Sequence, residues 1–77
     1  MAELEKGCIV RCTQGGREGV VSGKTGGDRV FVKWLTDWRP PVVKYYMECV
    51  SVETIAIIEY NGDPGLAALQ RKVMRDT

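Results

Sequence analysis

The sequence has no histidine, so neither an imidazole general base nor a histidine metal ligand can be built from it. Only three of its 77 residues are cysteines. On one strand, Cys8 and Cys12 stand about 13 Å apart at ~3.3 Å per residue. That is too far for a disulfide and too far to share one ion. All three cysteines are expected as small buried thiols, with no metal and no cofactor. No apolar run approaches the ~18 residues of a membrane span, and no apolar secretory segment follows the acidic start at Met1 to Lys6. A cytoplasmic setting without a membrane partner is therefore expected. The glycine-containing turns fit neither a phosphate-binding loop nor a dinucleotide fingerprint. With no catalytic residue to assign, the chain reads as a binding protein rather than an enzyme.

Nine glycines, about 12% of the chain against a usual ~7%, favour a turn-rich β protein. The organising stretch is Gly7 to Leu35, which reads as three antiparallel strands. In the first, Cys8, Val10 and Cys12 share one side while Ile9, Arg11 and Thr13 share the other. In the third, Val30, Val32 and Trp34 alternate with Arg29, Phe31, Lys33 and Leu35. Gly15-Gly16 and Gly26-Gly27-Asp28 supply the positive φ of tight hairpins, and Gly23 inside the second strand predicts a bend or bulge. Thr36 to Pro41 is expected to break the pattern and to place Trp38 in a loop, since proline cannot donate to a ladder. A fourth strand follows over 42–50, with two faces so similar in polarity that neither is assigned to the core. One helical turn at Ser51–Thr54 and a short strand at Ile55–Ile58 complete the sheet. Val10, Val30, Val32, Ile55 and Ile57 are expected inside.

Asp63-Pro64 opens a helix, with aspartate at the N-cap and proline at the first position. Leu66, Leu69 and Val73 make one apolar stripe, and Arg71, Lys72 and Arg75 fall late, where cations suit the helix dipole. The division expected is a frayed leader over 1–5 with Leu4 tucked inward, a barrel over 6–60, and a helix and tail over 61–77.

Five short strands with one helical turn before the fifth describe an SH3-like barrel, mainly β, with an added C-terminal α-helix. Within it, Lys6-Gly7, the Val10-Arg11 strand, Gly15-Gly16, Arg17-Glu18-Gly19-Val20-Val21 and Val30 to Trp34 resemble a KOW motif. The resemblance spans residues 6 to 35 and departs from the pattern at Cys8, where aspartate is usual, and in the helix. It implies a nucleic-acid-binding or protein-binding module of the ribosomal and transcription-associated kind.

Net charge is only +1, but its distribution is uneven. Residues 6 to 44 carry eight basic and three acidic side chains, a balance of +5, while residues 45 to 63 carry four acidic and no basic ones. Arg17, Lys24, Arg29 and Arg39 are expected to contact phosphates if they converge. Trp38 joins them as a stacking residue, with a role as a cap on the barrel as the alternative. A methyl-lysine cage or a proline-peptide groove needs several aromatic side chains, and the first loop, Thr13 to Gly19, has none. The alternative to nucleic acid is a protein-interaction or self-assembling module that uses Trp38 and the helix. There Leu66, Leu69 and Val73 form the interface, most simply of a homodimer.

Overall fold

The computed structural model describes residues 4–75. Its elements are β1 (Ile9–Cys12), β2 (Glu18–Lys24), β3 (Arg29–Arg39), β4 (Val42–Ser51), a 3-10 turn (Val52–Thr54), β5 (Ile55–Ile57) and α1 (Pro64–Arg75). The strands form one antiparallel sheet in the order β4-β3-β2-β1-β5. Among the described residues no ladder joins β4 to β5, so the sheet is open and both strands are edges. Of the leader expected over 1–5, residues 1–3 lie outside the described residues, as do residues 76–77 of the expected tail; Leu4 packs on the core.

Each face of the sheet carries its own apolar cluster. Val10, Cys12, Val21, Val30, Val32, Trp34 and Ile55 bury one another on the inner face, with Cys8, Val50 and Val52 at the margin. Ile9 and Val20 point the opposite way and are covered by Leu66, Leu69 and Val73 of α1. This follows from the period of two along a strand: Ile9 and Val10, like Val20 and Val21, are chain neighbours on opposite faces. Leu35, Val43, Tyr45 and Ile58 complete the outer cluster. The alternation expected for β1 and β3 is present, and the two faces of β4 are split between the clusters.

Two bulges bend the sheet. One lies between Val21 and Gly23, where the glycine signalled it; the other lies between Leu35 and Asp37. The second corrects an expectation. β3 does not end at Leu35; it absorbs Thr36 as an extra residue and continues to Arg39, which pairs with Val42 across a Pro40-Pro41 turn. The missing proline N–H limits the ladder only from Pro40 onward. Trp38 is thus a half-buried strand residue, not a loop residue.

Three further expectations change. Ile57 is 40% exposed although it shares the side of Ile55 and pairs with Val10, because β5 is an edge strand and the inner cluster reaches only as far as Ile55. Cys49 is exposed rather than buried, since it lies on the stretch of β4 that α1 does not reach. The stripe expected as an interface, Leu66, Leu69 and Val73, is at most 1% exposed within the single chain. Its burial, worth roughly 1.5–3 kcal/mol per side chain, is supplied by the protein's own sheet.

Leu69→Ala should therefore lower unfolding free energy by about 2–5 kcal/mol, whereas Ile57→Ala should cost no more than about 1 kcal/mol. Chemical denaturation of the two variants checks this. Equal losses would contradict the burial pattern.

Candidate functional site

Helix α1 begins where its sequence directs. The Asp63 carboxylate accepts the Gly65 N–H at 2.8 Å and its carbonyl accepts the Ala67 N–H at 3.2 Å, while Asn61 Oδ1 accepts the Asp63 N–H at 3.0 Å. This cap satisfies donors that a helix start otherwise leaves orphaned. Gly65 then brings the first turn hard against β3. A Cβ there would lie 2.9 Å from both Leu35 Cδ2 and Trp38 Cβ. From the other end, the Gln70 side-chain amide donates to the Gly7 carbonyl at 2.8 Å.

The helix so placed forms one wall of a groove of about 460 Å³, lined by Trp38, Pro41, Val42, Val43, Ala68, Arg71, Lys72 and Arg75. Ala68, Arg71, Lys72 and Arg75 stand at i, i+3, i+4 and i+7, which puts them on one helix face. The groove therefore sets an indole and three cations together, with no acidic side chain in its lining. Asp37, the nearest carboxylate in sequence to Trp38, is engaged elsewhere. Its Oδ1 accepts the Trp38 N–H at 2.9 Å and its Oδ2 lies 3.1 Å from Arg39 Nε. Among the described residues, Arg71, Lys72 and Arg75 form no ion pair.

The four cations expected to contact phosphates do not all meet: Arg17 and Arg29 line one cleft together with Glu48, and Lys24 and Arg39 are not part of it. Arg17 turns to the inner face, where its guanidinium carbon lies 4.8 Å from the Trp34 ring centroid and 5.9 Å from that of Tyr46. It donates to the Tyr46 hydroxyl, approaches Cys12 Sγ at 3.8 Å and pairs with Glu48 Oε1 at 3.6 Å. The Trp34 indole N–H donates to that same Glu48 oxygen at 3.1 Å. Contact with Cys12, then with Tyr46, holds the Arg17 pKa above its ordinary value, so the group stays charged over the whole range in which the protein is handled. Lys24 and Arg29 flank the β2–β3 hairpin, and Arg39 sits at the opposite end of the eleven-residue β3. Of Arg17, Lys24, Arg29, Trp38 and Arg39, only Trp38 lines the basic groove.

No family model, curated protein or solved structure matches the chain. The site is therefore read from its own geometry. Arg71, Lys72 and Arg75 were legible as helix residues, and their common face with Ala68 was a signal present in the sequence. Their meeting with Trp38 was not, because it depends on which face of the sheet the helix covers. No helix among the described residues is long and apolar enough to cross a membrane.

Arg17 shields Trp34, which is 1% exposed. In a Trp38→Phe background, Arg17→Ala should shift tryptophan emission to longer wavelength and raise its quenching by acrylamide. An unchanged spectrum would mean that the guanidinium does not cover the indole.

Proposed function

We propose that this chain is a non-catalytic binding module that contacts nucleic acid through the groove between the β3–β4 hairpin and α1. One observation carries the reading: a half-buried tryptophan stands beside three cations that have no acidic partner in the groove. Phosphates are attracted by Arg71, Lys72 and Arg75 wherever counterions can be released. The Trp38 indole offers a π-face on which a base stacks without regard to its identity. Pro41 and Val42 extend that apolar floor. The basic surplus of residues 6 to 44 adds a favourable long-range field for an anionic partner.

The strand order, with a 3-10 turn ahead of β5, supports reading the sheet as an SH3-like barrel of KOW type, in which β5 returns beside β1. Cys8, Cys12 and Cys49 are all thiols, which supports a cytoplasmic setting.

Titration with single-stranded and duplex oligonucleotides, followed by tryptophan fluorescence, tests the reading. With three phosphates neutralised on a single strand, log K should fall against log salt with a slope of roughly −2. Replacing Arg71 and Arg75 together by alanine should flatten that slope by roughly 1.4. Trp38→Ala should cost about 1–3 kcal/mol of affinity for single strands. Absence of binding at low salt, or an unchanged slope in the double variant, would overturn the assignment.

A further inference from the structure

The open sheet leaves two edges, and they differ. β5 has three residues, whereas β4 runs for ten, from Val42 to Ser51, without a proline or glycine and with the nearby bulge carried by β3. A long, regular edge presents a row of backbone donors and acceptors that can template another strand. Such edges are commonly blunted by charge, and β4 does carry charge: Lys44 and Glu48. Their placement is symmetric about Tyr46. Folding the segment 42–50 back on itself sets Val42 against Val50, Val43 against Cys49, Lys44 against Glu48 and Tyr45 against Met47.

We infer that β4 is a self-pairing edge, on which a second copy of this chain docks antiparallel about a two-fold axis through Tyr46. In that register each lysine faces a glutamate of the other copy, so the two charges, which would face their own copies in the registers centred on Lys44 or on Glu48, become two cross-strand pairs. Chemistry on the present chain fits the role. Lys44 is exposed and enters no ion pair among the described residues. Glu48 meets Trp34 and Arg17 through Oε1, which leaves Oε2 to receive a lysine. Met47, 57% exposed, and Tyr46, 40% exposed, are the large apolar side chains at the centre of the edge, and pairing places Met47 beside Tyr45 and Tyr46 beside its own copy. The contact is isologous and closes at two chains, because the remaining β5 edges are short. It lies on a different surface from the helix stripe, and it does not depend on what the basic groove binds.

Sedimentation velocity over a concentration series should show a monomer–dimer equilibrium for the unaltered chain. K44E and E48K should each weaken it, roughly tenfold or more, by setting like charges opposite one another twice. An equimolar mixture of K44E and E48K should regain the dimer, since both cross-strand pairs are then restored. A chain that remains monomeric throughout, or a K44E dimer as strong as the parent, overturns the inference. Because Glu48 also holds Trp34 and Arg17, a second readout avoids that residue. In a C49S background, Y46C should cross-link under mild oxidation, its Cα atoms lying about 4.5–5.5 Å apart. K44C should not, since the two copies of position 44 are displaced by about 13 Å along the strands. Equal cross-linking at both positions overturns the register.

Discussion

Val20 and Val21 are consecutive, both are fully shut off from water, and they point to opposite faces of the sheet, so β2 requires apolar cover on both sides at once. A five-stranded sheet of this length can curl to bury only one of those faces. The inner cluster around Val32 and Trp34 does so; the outer face, with Ile9 and Val20, is left wet unless another element arrives. Helix α1 is that element. At twelve residues it is too short to be stable alone in water, so sheet and helix depend on one another. This mutual dependence fixes where the helix lies, and the groove beside Trp38 is a consequence of it.

The same arrangement divides the cations between two uses. On the inner face, Arg17 lies across Trp34 and reaches Tyr46, Cys12 and Glu48. Its planar guanidinium can stack and donate together, which an ammonium could not do. It closes the core where the curl of the sheet would otherwise leave an indole open. On the outer face, Arg71, Lys72 and Arg75 project from the side of α1 that does not touch the sheet, next to the buried stripe of Leu66, Leu69 and Val73. Those cations form no ion pair among the described residues.

This division explains what could be read in the sequence and what could not. Local rules decided the alternation of β1 and β3, the bulge at Gly23, and the Asp63-Pro64 start of α1, and these are present. The extension of β3 through Trp38 was hidden because a bulge at Thr36 shifts the alternation by one residue, which makes a continuing strand look like a broken one. The exposure of Ile57 and Cys49 was hidden because strand alternation gives the side of the sheet but not whether that side is covered. The partners of Arg17 were hidden for a similar reason. A cation in a glycine turn looks solvated until the partner strand that carries Tyr46 and Glu48 is folded beside it.

Dimensions account for the surfaces that remain open. Eleven residues of β3 span about 35 Å at the rise of a strand, while twelve residues of helix span about 18 Å. Packed mainly on β2 and β3, a helix of that length leaves part of the β3–β4 hairpin uncovered. It covers Leu35, Val43 and Tyr45. Toward one end it leaves Trp38, Pro41 and Val42 overhanging its basic side; toward the other it leaves Phe31, Met47 and Cys49 in water. The hairpin that outruns its cover is what leaves so small a chain with exposed apolar surface while its core stays closed.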